Sequence, residues 1–242
     1  MSDHDLAARL ATEAGRLLRE VRSELADAPA VQRKAEGDRR SHEFLMAELA
    51  IARPADAVLS EEGADDPARL NAQRVWIVDP LDGTREFSEP DRDDWAVHVA
   101  LWFDGELIAG AVALPAQGVT LATPAVPAPP EPPATPRILV SRTRPPAAAR
   151  QVADRLDGTL VEMGSAGAKV AAVVQGRAEV YVHSGGQYEW DSAAPVAVAR
   201  AAGLHTSRVD GTPLRYNQAD PLLPDVLVCR PQYADAVLAA LR

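Results

Sequence analysis

The chain has 242 residues, 47% of them hydrophobic, enough for one large domain or two modest ones with a sizeable core. Its formal charge is −10, from 35 acidic against 25 basic residues, and a field of that sign repels nucleic-acid backbones. Small anionic substrates stay open to it wherever cations or a local basic pocket offset that field. The only cysteine, Cys229, excludes an intrachain disulfide and a cysteine-built zinc site, and it reads as a core thiol. The acidic start, Met1-Ser2-Asp3-His4-Asp5, lacks the pattern of a signal peptide. No uninterrupted apolar run reaches the roughly 18–20 residues of a membrane span, so a cytoplasmic protein with no membrane partner is expected.

Leu6, Leu10, Ala14, Leu17, Leu18, Val21 and Leu25 recur at three- and four-residue spacing. They predict an amphipathic helix with Ser2 or Asp3 as N-cap. A second helix is expected to start near Asp38 or Ser41, to bury Phe44, Leu45 and Leu49, and to stop before Pro54. Short buried strands follow at 57–60 and 75–78, each ending in carboxylates. From Trp95 to Leu114 two β-rich runs meet at Asp104-Gly105, a hairpin signal, and 119–122 reads as a further strand. Seven of the twenty prolines fall within 124–136, where the missing amide donors argue for an extended loop. That loop divides an N-terminal half, 1–123, from a C-terminal half, 137–242. The second half reads as strand 138–140, helix 146–156, strand 159–162, helix 165–175, strand 179–182, helix 192–202 ended by Gly203, strand 226–229 and a last helix. Such alternation predicts an α/β layer with helices on a sheet.

Three acidic motifs lie directly beyond apolar segments: Ser60-Glu61-Glu62-Gly63, Val78-Asp79-Pro80-Leu81-Asp82-Gly83-Thr84, and Glu189-Trp190-Asp191-Ser192. Pro80 and Gly83 let Asp79, Asp82 and the Leu81 carbonyl turn toward one point. Oxygen ligands of this kind suit hard cations, magnesium above all. Gly83 and Thr84 add N–H groups and a hydroxyl for an anionic oxygen. Each motif alone is ordinary turn or surface sequence; the three together point to metal and phosphate.

These motifs resemble the inositol monophosphatase superfamily of magnesium-dependent, lithium-sensitive phosphatases. Residues 76–84 look like its signature, Ser60-Glu61-Glu62 like its upstream acidic motif, and Trp190-Asp191-Ser192-Ala193-Ala194 like its downstream one. The resemblance implies a five-layered αβαβα sugar-phosphatase fold, an α+β half followed by an α/β half. It implies that Glu61, Asp79 and the Leu81 carbonyl bind one Mg2+, and that Asp79, Asp82 and Asp191 bind a second. It further implies that Thr84, paired with Asp38, takes the proton of the attacking water, and that Glu62 helps to hold a third, weaker ion. The family usually carries a longer hairpin before the aspartate, where this chain has only Lys34-Ala35-Glu36-Gly37-Asp38. Asp38 therefore has an alternative reading as the cap of the second helix.

Within the superfamily three features lean toward the 3′(2′),5′-bisphosphate nucleotidases. Arg85-Glu86-Phe87 follows the signature, and Val140-Ser141-Arg142 resembles the opening of their nucleotide site, although Thr143-Arg144 replaces the usual Ser-His. Lys169, one of only two lysines with Lys34, stands in Gly164-Ser165-Ala166-Gly167-Ala168-Lys169 where those enzymes carry one. The resemblance implies release of the 3′-phosphate of adenosine 3′,5′-bisphosphate, the by-product of sulfate-activation chemistry, to leave AMP. Asp82, Gly83, Thr84 and Asp191 would meet the scissile phosphate, and Ser165 and Lys169 the second one. His98 reads as packing, His183 as a strand-end residue that could touch substrate, and Arg215 and Tyr216 as weak site residues. Inositol-1-monophosphatase or fructose-1,6-bisphosphatase activity is the alternative. A phosphate- or nucleotide-binding regulator without turnover is the reading from another class. A homodimer is compatible with all of them.

Overall fold

The computed structural model describes residues 1–143 and 145–242; Arg144 lies outside the described residues. Helix α1 (Asp3–Glu24) begins at Ser2, whose hydroxyl accepts from the Asp5 N–H while the Asp5 carboxylate accepts from the Ser2 N–H. Helix α2 (Ala30–Ala52) begins at Pro29, well before the expected start, so Asp38 is an interior helical residue and caps nothing. The physical reason is the run 30–36, composed of good helix formers after a proline that needs no N–H partner. Leu45 and Leu49 are buried as expected, while Phe44 is only partly so. Gly37 costs α2 some propensity but permits close approach. A Cβ there would lie 2.7 Å from the Phe87 ring and 2.9 Å from a Leu81 methyl.

The first sheet has the order β1 (Ala57–Ser60), β2 (Arg74–Asp82), β3 (Ala96–Phe103), β4 (Glu106–Leu114), β5 (Val119–Ala122). Only β1 and β2 run parallel; the other neighbours are antiparallel. The β3–β4 turn holds Asp104 and Gly105 at φ of 45° and 100°, the left-handed pair that a tight hairpin of this twist requires. A short helix, α3 (Thr84–Ser88), follows β2 directly and was not visible as a periodic pattern. Residues 124–136 carry neither helix nor strand.

Next come β6 (Arg137–Ser141), α4 (Ala147–Leu156), β7 (Thr159–Met163), α5 (Ala166–Val174), β8 (Val180–Tyr188), α6 (Glu189–Ala201), β9 (His205–Ser207), β10 (Leu222–Cys229) and α7 (Ala234–Ala240). They form a second sheet ordered β7-β6-β8-β10-β9. Strands β8 and β10 are longer than their apolar runs suggest. Gly185 and Gly186 interrupt the first pattern, and Pro224 sits at a register shift in the second, where a missing N–H is tolerated. Helix α6 starts three residues before the expected 192, which brings Asp191 into its first turn.

Helices α1 and α2 cover one face of the first sheet, α5 and α6 fill the space between the sheets, and α4 and α7 cover the far face of the second. This is the five-layered αβαβα arrangement. Among the described residues no helix is long and apolar enough to cross a membrane. Cys229 lies in the outer core under α4 and α7, and burial pushes its thiol up to about 12. We therefore expect a thiol reagent to leave the native protein unmodified at neutral pH and to react once the chain is unfolded. Modification of the native protein at the rate of a free thiol would contradict this burial.

Candidate active site

The end of β2 organises the site. Asp79 pairs in register with His98 on β3, and the ladder then shifts before Asp82 pairs with Ala96. Pro80 supplies no donor within that shift. The Leu81 N–H turns back to Asp79 Oδ1 at 3.0 Å, and the Ser41 hydroxyl of α2 donates to the Pro80 carbonyl at 2.7 Å. Gly83, at φ 83°, swings the chain into α3, and the Thr84 hydroxyl then donates to the Leu81 carbonyl at 3.2 Å.

Asp82 serves as an acceptor for the start of α5. It accepts from the Ser165 hydroxyl at 2.5 Å, from Gly167 N–H at 2.6 Å and from Ala166 N–H at 3.2 Å. His98 Nε2 lies 3.3 Å from its Oδ2, while Nδ1 lies 3.0 Å from the Trp190 carbonyl oxygen. Burial opposes ionisation of Asp82. His98, Ser165 and the Gly167 N–H outweigh it and hold the carboxyl at about 2. Burial likewise opposes charge on His98, but Asp82, the Trp190 carbonyl and Asp191 raise its pKa. Packing alone, the role expected for His98, is thus corrected: its ring stands between two site carboxylates, with Asp79 Oδ2 3.8 Å from Nδ1. Its place opposite Asp79 on the neighbouring strand was the available signal, and only register reveals it.

Strand β1 runs parallel to β2, setting Ser60 beside Val78 and so Glu61 next to Asp79. Asp191 enters from α6, where its Oδ2 accepts from the Tyr188 N–H at 2.6 Å. Glu61, Asp79, Asp82 and Asp191 therefore converge from two elements, β2 and α6, and from the turn after β1. Burial, then the neighbouring carboxylates, drive the Asp79 carboxyl well above its ordinary value. Glu61 is pushed up to about 7; it opens to solvent at the mouth, yet the protein around it removes water, and Asp191, Asp82 and Glu62 repel it. Burial and Asp82 push Asp191 to about 6. Asp79 Oδ2 is buried with no hydrogen-bond donor. A carboxyl oxygen without a donor, whose ionisation the neighbouring acids oppose, is a good fit to a cation that would offset their charge. Asp79, Asp82 and His98 alone offer three ligand atoms within 4.8 Å of one another.

Asp38 reaches the site from within α2. Its carboxyl is a hydrogen-bond partner of Thr84, and burial with the nearby Glu62 pushes it to about 7. The pair expected from the sequence is thus together, although on a helix in place of a hairpin. Glu62 itself is exposed at the rim.

Ser165 and Lys169, the residues expected at the second phosphate, are tied to protein groups at the start of α5. Ser165 caps α5 by accepting from Ala168 N–H at 2.9 Å, besides donating to Asp82. Lys169 is 4% exposed and donates to the Gly164 and Ser165 carbonyls at 3.1 and 2.6 Å, with its ammonium 5.2 Å from the centre of the Tyr181 ring. Burial lowers its pKa to about 8. This geometry holds the Gly164-Ser165 turn, and through it Asp82. Lys169→Met should leave the buried Gly164 carbonyl without its donor and the Ser165 carbonyl with only the 3.4 Å bond from the backbone N–H of residue 169, costing about 1–3 kcal/mol of stability. It should lower kcat/KM by similar factors on a bisphosphate and on a monophosphate. A loss confined to the bisphosphate would instead mean direct contact with the second phosphate.

Arg142 clasps α3: it donates to Glu86 at 2.7 Å and to Glu89 twice at 2.9 Å. His183 Nε2 lies 3.3 Å from the Gly186 carbonyl oxygen. Tyr216 is buried, with its hydroxyl 3.2 Å from Ser192 Oγ, and Arg215 is exposed.

The model of the inositol monophosphatase family matches residues 3–126 and 135–242. The chain is 53% identical over 239 residues to the 3′-phosphoadenosine 5′-phosphate phosphatase of Mycobacterium tuberculosis, covering 95% of this chain and 89% of the relative. It is 30% identical over 200 residues to the 3′(2′),5′-bisphosphate nucleotidase CysQ of Escherichia coli, covering 77% and 80%. Among solved structures, CysQ from Bacteroides thetaiotaomicron superposes with a TM-score of 0.75 at 27% identity, over 93% of this chain and 96% of that one. Inositol monophosphatase-II from Staphylococcus aureus gives 0.79 at 20% identity over 96% and 91%, a likeness of fold.

Proposed function

This chain belongs to the inositol monophosphatase family, and from that premise we propose that it removes the 3′-phosphate of adenosine 3′,5′-bisphosphate, leaving AMP and phosphate. The observation that carries the reaction class is the orphaned Asp79 Oδ2 among the carboxylates of Glu61, Asp82 and Asp191. The substrate follows from the similarity to the mycobacterial phosphatase, which spans nearly both chains.

The donor set is rich in oxygen, which favours Mg2+. Glu61, Asp79 and the Leu81 carbonyl would hold one ion, and Asp79, Asp82 and Asp191 the other. Asp82 accepts from α5 and has His98 3.3 Å from Oδ2, but each carboxylate oxygen has two lone pairs, so Oδ1, which accepts only from Ala166 N–H, keeps one for a cation. Such ions, when bound, make water a nucleophile near neutral pH and stabilise charge on the leaving oxygen. The attacking water would give its proton to Thr84 Oγ1 as the Thr84 hydroxyl turns from the Leu81 carbonyl and gives its own proton to the Asp38 carboxylate. Glu62, facing Asp38 across the rim, supports a third and weaker cation. Gly83 and Thr84 meet the scissile phosphate, and Ser165 and Lys169 serve it by fixing Asp82. We place the enzyme in the cytoplasm, where nucleotide substrates are present.

A panel of phosphate esters tests the assignment. With Mg2+, phosphate release from adenosine 3′,5′-bisphosphate should exceed that from inositol 1-phosphate and fructose 1,6-bisphosphate. A preference for either of the latter would replace the substrate and keep the reaction. No release from any of them would make the chain a binding protein.

A further inference from the structure

Tyr188 ends β8 immediately before α6, and its N–H is the donor to Asp191 Oδ2 at 2.6 Å. The residue is therefore one hydrogen bond away from the carboxylate cluster. Its ring stacks on Trp190, with centroids 4.7 Å apart and planes within 9°. Trp190 is half-buried, packs against the core between the sheets, and has its carbonyl beside His98 Nδ1. Tyr188 itself is 45% exposed. One face of the phenol is thus backed by an anchored indole, while much of the side chain meets solvent.

The surroundings leave that ring approachable. Gly185 and Gly186 precede it at φ of 120° and 87°; a Cβ on Gly185 would meet nothing within 4 Å, and one on Gly186 only a Leu222 methyl. Leu222, opposite Tyr188 on β10 and 47% exposed, extends the apolar surface. A flat, uncharged, rigid π-face beside an anion-handling site complements a heteroaromatic base. It does not complement a polyol, whose hydroxyls need donors and acceptors that ring carbons lack.

We propose that Tyr188, backed by Trp190, is the platform on which the nucleobase of the substrate stacks, and so selects nucleotides over sugar and inositol phosphates. This rests on the reading of the chain as a bisphosphate nucleotidase. The scissile phosphate lies on the carboxylate side of the Tyr188 peptide and the base on the ring.

The test compares AMP with ribose 5-phosphate as competitive inhibitors, because the two differ by the base alone. It is run on the Mg2+-loaded wild type, Tyr188→Leu, Tyr188→Phe and Tyr188→Trp. Leucine keeps bulk against Trp190 while removing the π-face, which protects the fold. The advantage of AMP over ribose 5-phosphate should shrink roughly 5- to 150-fold in Tyr188→Leu, the range expected for one base–aromatic stack. It should persist in the Phe and Trp variants. The ratio of kcat/KM for adenosine 3′,5′-bisphosphate to that for inositol 1-phosphate should fall in parallel. An AMP advantage that survives Tyr188→Leu overturns the platform and leaves the nucleotidase reading intact. Equal weakening of both inhibitors would reduce Tyr188 to support for Asp191 and also overturns it. A wild type that binds AMP no better than ribose 5-phosphate overturns the platform and the nucleotide reading together.

Discussion

Asp79→Asn is expected to abolish phosphate release and, in the absence of divalent cations, to make the protein more stable. Asp79 is 1% exposed, one of its oxygens has no donor, and Glu61, Asp82 and Asp191 repel its charge. Removing the ligand proposed to be shared by two cations should cost several kcal/mol of transition-state stabilisation, or about 10³-fold in kcat/KM. Isothermal titration should show Mg2+ binding weakened in step. The stability change has the opposite sign. An acid whose folded pKa is raised binds more protons folded than unfolded, so its contribution to stability falls as pH rises past its unfolded value. The amide carries no charge to desolvate. Metal-free Asp79→Asn should then melt at least about 2–4 °C above wild type at pH 8, the shift that 1 kcal/mol gives in a chain of this size. The gap should narrow as the buffer is made acidic. Near-wild-type turnover of the variant would remove Asp79 from the metal assignment.

Gly167→Ala should be the most damaging methyl group in the site. A Cβ at 167 would stand 1.9 Å from His98 Nε2 and under 3 Å from two further ring atoms. The imidazole has nowhere to retreat: it is fully buried, and Nδ1 is held at the Trp190 carbonyl. Either the ring or the first turn of α5 must shift; the turn carries N–H donors to Asp82, and the ring stands 3.3 Å from its Oδ2. Overpacking of this kind costs about 3 kcal/mol, or roughly 6–12 °C in melting temperature. Turnover should fall with it, because Asp82 loses its orientation. Adding His98→Ala should relieve the clash, so the double variant should be more stable than the sum of the two single losses. Strict additivity would show that α5 absorbs the methyl without pressing on the ring.

Much of this site is local in the chain, which is why it was legible in the sequence. Residues 79–84 carry their own turn chemistry, with Pro80 and Gly83 setting the bend that brings Asp79, Leu81 and Asp82 together. Glu61 and Asp191 follow the same logic, each placed just past an apolar segment. Contacts set by strand register were not legible: His98 looked like one more residue in a hairpin, and only pairing with Asp79 gives it a site. Nor could sequence spacing show that Asp82 accepts three hydrogen bonds from the start of α5, or that Ser165 and Lys169 are buried there. Asp38 shows a milder failure. It meets Thr84 as the motif implies, but helix propensity across 30–36 outweighs the cap signal at 38, so the contact comes from a continuous helix.

The most direct test of the account is to identify which phosphate leaves, and whether it leaves only with a divalent cation. Adenosine 3′,5′-bisphosphate is incubated with the purified protein in Mg2+ and in excess chelator, and the products are resolved by phosphorus NMR. AMP and inorganic phosphate are expected with Mg2+, no reaction in chelator, and recovery on adding Mg2+ back. Adenosine 3′-phosphate as the product, or undiminished release in chelator, would contradict the proposed reaction.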